Sequence, residues 1–77
     1  MNPFIRLHPN DDVLIARAQL VGGTTVEAIQ VKGLIPAGHK VATRAIATGE
    51  PVRRYNQIIG FASKPIAPGE HVHTHNL

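Results

Sequence analysis

Cysteine and tryptophan are absent from this 77-residue chain, and besides histidine its aromatics are two phenylalanines and one tyrosine. Without cysteine there are no disulfide staples, no thiolate zinc sites and no thiol nucleophile, so any chemistry must rest on other donors. A reducing compartment poses no difficulty for such a chain, and a cytoplasmic location is the expectation. Long apolar runs are missing too. The chain opens Met1-Asn2-Pro3-Phe4, and charged or polar residues interrupt every later hydrophobic stretch, which argues against a signal peptide or a membrane span.

Concentrated charge is also lacking. The formal net charge is +3, but Arg6, Arg17, Lys32, Lys40, Arg44, Arg53, Arg54 and Lys64 are scattered, and only Arg53-Arg54 are adjacent. Nucleic-acid binding asks for a basic face interleaved with aromatics on which bases stack, and Phe4, Tyr55 and Phe61 do not supply one. A small anionic substrate asks for less, since two or three placed cations hold a carboxylate. There is no Gly-rich phosphate loop and no Gly-x-Ser-x-Gly elbow, which sets aside phosphoryl transfer and serine hydrolysis.

What is present is a seven-residue phrase, apolar-x-x-Gly-x-x-Val, in four copies: Leu20 to Val26, Ile35 to Val41, Ile46 to Val52 and Ile66 to Val72. In each, the apolar residue ends one buried segment, the glycine supplies a turn with positive φ, and the valine starts the next strand. The copies are unevenly spaced, which disfavours a stacking array. Pro36, Pro51, Pro65 and Pro68 lie in or beside these corners and favour short strands with many turns. A chain this short buries too little surface to divide into two cores, so residues 1–77 are expected to form one all-β domain without a deep, enclosed site of its own. Strands are predicted at 12–16, 41–46, 57–62 and 71–75. The best helix candidate is Thr25 to Val31, which its β-branched residues also suit to an extended form, so at most one helical turn is expected there.

Gly38-His39-Lys40-Val41-Ala42, Gly49-Glu50-Pro51-Val52, Ile58-Ile59-Gly60 and Gly69-Glu70-His71-Val72-His73-Thr74-His75-Asn76 resemble, in order and spacing, the N-terminal domain of the altronate and galactarate dehydratase family. The resemblance runs from about Ile5 to Asn76. It implies a SAF-type β-clip fold, which also occurs as a separate small chain, including the alpha subunit of sulfolactate sulfo-lyase.

The sharpest chemical signal is the row His71, His73 and His75. On a strand these three project from one face, with neighbours about 6.6 Å apart, so two can converge on one metal while three on one ion is harder. A solvent-facing row that binds nothing is the plainer alternative. Imidazole suits zinc, iron, copper or nickel. The resemblance implies an iron(II)-like divalent ion, with manganese or magnesium as alternatives. His39 and Lys40 follow the Gly38 corner, where side chains stand out from a rigid support. They are the candidate catalytic pair, with Lys40 acting as a base or as the cation that holds a substrate carboxylate. Arg44, Arg53 and Arg54 read as ordinary surface residues, His8 as structural, and Glu50 and Glu70 as solvent-facing, with Glu70 the exception to watch beside the histidines.

The resemblance implies the small subunit of a metal-dependent hydro-lyase acting on a sugar acid, with His39, Lys40, His71, His73 and His75 contributed to a composite site shared with a large dehydratase subunit. Alternatives are a sulfolactate sulfo-lyase small subunit, a non-catalytic SAF-type module that binds carbohydrate or a partner, and a free-standing metal-binding protein. Partners are thus a large subunit and a sugar acid, not nucleic acid or membrane. Self-association of the isolated chain is also anticipated through an exposed strand edge.

Overall fold

The four repeated phrases fold in pairs. Leu20 and Ile35 exchange both backbone hydrogen bonds at 2.8 Å, and Ile46 and Ile66 do the same at 2.8 Å, so the first phrase is tied to the second and the third to the fourth. All four glycines take positive φ, and all four closing valines, Val26, Val41, Val52 and Val72, are fully buried. Gly69 shows why no other residue serves at its corner. Its φ is +85°, and a Cβ there would overlap the carbonyl oxygen of Gln30.

The computed structural model describes residues 2–77. In chain order the strands are β1 (Phe4–Ile5), β2 (Val13–Ala16), β3 (Thr25–Val26), β4 (Ile29–Gln30), β5 (Lys40–Ala42), β6 (Pro51–Arg54), β7 (Gln57–Phe61) and β8 (His71–Val72). A four-stranded antiparallel sheet runs β1-β2-β5-β8, and β3-β4 and β6-β7 form two separate hairpins. The described residues contain no helix. The chain therefore has the all-β architecture expected of it.

The four-stranded sheet is covered on both faces. Alternate residues of β2 and β5 feed two different clusters: Val13 and Ala42 join Ile46, Val52, Ala62, Ile66 and Val72 on one side. Leu14 and Val41 join Ala16, Leu20, Val26, Val31 and Ile35 on the other. Each phrase pair thus fills one cluster, and the sheet is the wall between them.

All four predicted strands are shorter than the sequence suggests, the last of them at the histidines, and one segment is different in kind. The strand predicted over 41–46 ends at Ala42. There the chain bends as the Thr43 amide and hydroxyl both donate to the Asp12 carbonyl, at 2.9 and 3.0 Å. Strands predicted at 12–16 and 57–62 each lose one residue, giving Val13–Ala16 and Gln57–Phe61. The helical turn allowed over Thr25 to Val31 is instead the β3-β4 hairpin, because Glu27 and Ala28 sit at φ of 48° and 65°, outside the right-handed helical region.

Candidate histidine site

The strand predicted through 71–75 ends at Val72, and residues 73–76 form a turn. Asn76 builds it. Its side chain is fully buried, with Oδ1 accepting from the His73 amide at 3.0 Å and Nδ2 donating to the His71 carbonyl at 2.8 Å. Its backbone carbonyl accepts from Ser63 at 3.0 Å, which fastens the turn to the body. The three histidines therefore do not line one face of a strand. The sequence signal for this turn is only the asparagine itself, a residue that favours side-chain-to-backbone bonds in turns.

This turn brings His73 back over the sheet edge, where His39 arrives from the Gly38 corner. In the β5-β8 pairing Val41 lies opposite His71, so His71 shares a face with Val41 and, two residues away, with His39. His39 Nδ1 and His71 Nε2 are 2.9 Å apart. The His39 ring also stacks on His73, with centroids 4.4 Å apart and planes 25° apart. One nitrogen from each of His39, His71 and His73 lies within 4.8 Å of the others. His75 is outside this set; its ring packs on His71 at 5.3 Å.

These rings suit a divalent cation by their donors, with His39 and His71 at ligand spacing; His73, within 4.8 Å, would close in to share the ion, since two nitrogens on one ion lie at most about 4.2 Å apart. Two nitrogens each about 2.0–2.1 Å from one ion lie roughly 3 Å apart at a right angle, close to the His39–His71 separation. The electrostatics agree. Partial burial holds the His71 pKa below its ordinary value of 6.5, and His39, His75, His73 and Lys40 push the same way as neighbouring positive charges. The neutral imidazole that ligation requires is therefore favoured at His71.

Lys40 is separated from this cluster by the pleat. It lies opposite Val72 and faces the other side of β5, where Lys40, Ile59, Gly60, His73, Thr74 and Leu77 line an open cavity of about 350 Å³. His73 borders both the cluster and the cavity. The other polar residues are structural. Arg44 pairs with Asp12 at 2.8 Å and approaches Glu50 at 3.5 Å. Glu50 and Glu70 each accept from the backbone amide three residues before them, Ala47 at 2.6 Å and Ala67 at 3.3 Å, so Glu70 serves its corner and not the histidines. His8 Nδ1 accepts from the Asn10 amide at 3.0 Å.

The model of the altronate/galactarate dehydratase SAF domain matches residues 2–77. The chain belongs to that family. An altronate dehydratase of Bacillus subtilis is 39% identical over 80 residues, covering 99% of this SAF domain but 16% of the relative. The altronate dehydratase of Escherichia coli K12 is 39% identical over 77 residues, again 16% of its own length. The (2R)-sulfolactate sulfo-lyase subunit alpha of Chromohalobacter salexigens is 48% identical over 48 residues, covering 62% of this chain and 51% of that subunit. The chain therefore spans about a sixth of the altronate dehydratases it matches. No helix among the described residues is long and apolar enough to cross a membrane.

Proposed function

We propose that this SAF domain is the histidine-bearing part of a metal-dependent hydro-lyase that eliminates water from a sugar acid, working as a small subunit against a much larger chain. The observation that carries this reading is the convergence of His39, His71 and His73, with ligand atoms within 4.8 Å of one another, beside a cavity that His73 shares with Lys40.

His39, His71 and His73 would hold a divalent cation, iron(II)-like in our reading with manganese as the alternative; magnesium, which prefers oxygen ligands, suits three imidazoles poorly. When bound, such an ion supplies Lewis-acid stabilisation of developing negative charge. The remaining roles fall to the side chains. Elimination removes the proton beside the substrate carboxylate and expels the neighbouring hydroxyl as water once protonated, so a base and an acid are both required. His75, which packs on His71 outside the ligand set, would be the residue to exchange protons. Lys40 lies beyond His73, in the adjoining cavity.

The partner is supported by two features. Relatives of the dehydratase type carry this domain as a sixth of a longer chain. In addition, a β-bulge between Val52 and Arg53 in the β6-β7 register leaves Ile58 and Phe61, three residues apart, on the same outward face. Ile58 is 49% and Phe61 58% exposed, as suits an apolar strip that another surface covers.

The 48% identity to a sulfo-lyase alpha subunit, itself a separate short chain, favours a second reading in which sulfite leaves instead of water. The test is coexpression with the large lyase chain of the same host, metal analysis of the complex, and turnover on aldonic acids, aldaric acids and sulfolactate. The leaving group follows from which substrate reacts. Undiminished turnover after exhaustive chelation, or after replacement of His39, His71 and His73 together, would remove the basis of the proposal. Sugar-acid binding without any turnover would indicate a binding module.

A further inference from the structure

We infer that the Lys40 cavity is a carboxylate-binding subsite already formed in this chain, separate from the histidine cluster and joined to it through His73. This deepens the hydro-lyase reading by naming what the cavity holds, and it rests on that reading for the identity of the anion as a sugar acid.

Three observations lead here. The first is charge without a partner: Arg6 is paired with Glu27 and Arg44 with Asp12 and Glu50, while among the described residues no carboxylate lies within 4.0 Å of the Lys40 ammonium. A half-buried lysine facing a cavity without a counter-ion is a site for an external anion. The second is the lining. Thr74 adds a hydroxyl donor and His73 an imidazole, while Ile59, Gly60 and Leu77 complete the lining. At about 350 Å³ the cavity has the size of a small-molecule site.

The third is geometry. Lys40 lies opposite Val72 on one side of the sheet, whereas His39, just before β5, meets His71, whose partner Val41 belongs to the other side. Lys40 is therefore placed to hold one end of a substrate and not to exchange protons among the histidine rings. A molecule with its carboxylate on Lys40 and Thr74 would reach past His73 toward the cluster. The role is electrostatic, so it asks for a permanent charge at position 40 and tolerates arginine better than a neutral residue of equal length.

The experiment uses the isolated chain, labelled with nitrogen-15 and kept in a chelator, titrated with galactarate and separately with galactitol, its uncharged counterpart. Galactarate is expected to shift the amides of Lys40, Gly60, His73 and Thr74 with millimolar affinity, and galactitol to leave them in place. Lys40→Met should weaken binding at least about tenfold and Lys40→Arg by less, with the spectra themselves reporting whether each variant is folded. Equal shifts with galactitol, shifts elsewhere on the surface, no response up to saturating galactarate, or unchanged affinity in a folded Lys40→Met chain would each overturn the inference. Because metal is excluded, failure here leaves the hydro-lyase proposal standing. An inactive reconstituted complex, conversely, leaves the subsite standing.

Discussion

At the residue scale, small groups hold this domain in shape. Gly69 is the sharpest case, since its amide donates to Ala42 at 2.8 Å and its carbonyl accepts from Lys32 at 2.9 Å while its Cα lies against Gln30 and Val31. Gly69→Ala combines a left-handed backbone penalty with overlap against backbone that cannot move aside, and should cost more than about 3 kcal/mol, read as a large fall in the urea midpoint or as loss of soluble protein. Asn76→Ala is expected to cost about 1–3 kcal/mol by leaving the His73 amide unpaired, and also to loosen metal binding. Asn76→Asp keeps the acceptor and should lose less of both. His71 gives a pH prediction. Its folded pKa lies below the unfolded 6.5, so the unfolded chain takes up the proton more readily and stability falls as pH drops below 6.5, with no contribution above it. In metal-free protein, denaturation midpoints measured from roughly pH 7.5 down to 5 should decline, and His71→Gln should flatten that decline. An identical slope in the variant would assign it to other groups.

Elements reveal where sequence patterns suffice and where they do not. The repeated phrase was legible because apolar residue, glycine and valine each meet an independent demand of burial or φ; every copy turns and buries as read, although each strand starts one residue before its valine. The β3-β4 hairpin was not, because its tip is Glu27-Ala28, neither of which advertises a turn with two positive φ values. By contrast the β6-β7 tip contains Asn56, and the buried Asp11 holds it by accepting from the Tyr55 and Asn56 amides at 2.8 and 2.7 Å. That pairing spans more than forty residues, beyond any local pattern. The contrast predicts that Ala28→Gly raises stability by about 1 kcal/mol, measured by thermal denaturation, since it removes a left-handed alanine. At the outward strip of β7, Ile58→Asp with Phe61→Asp should leave the isolated chain folded, as both side chains are already largely exposed, yet weaken its capture by the large lyase chain. Size-exclusion binding assays would show the difference.

Across the whole molecule, the histidines illustrate how far composition carries. Their identity and nearness in sequence marked them, but the set that converges includes His39, thirty-two residues from His71, while His75 stands aside. Strand spacing could not show this because the turn built by Asn76 ends β8 early. Asp11 and Asp12 read as acceptors for nearby backbone groups, but they are buried and accept instead from the distant amides of Arg53, Tyr55 and Asn56, with Arg44 a further partner of Asp12. The sheet between the two core clusters has a last consequence. Odd and even positions of β5 belong to different compartments, so the division of labour between His39 and Lys40 is a matter of parity. The Gly38 amide bonded to the Ala16 carbonyl at 2.7 Å, and the Ala16 amide bonded to the His39 carbonyl at 2.9 Å, fix that parity. Insertion of one residue between Gly38 and Lys40 would preserve every side chain in the list and still exchange imidazole for ammonium on both sides of the sheet, so that the same letters would spell a different site.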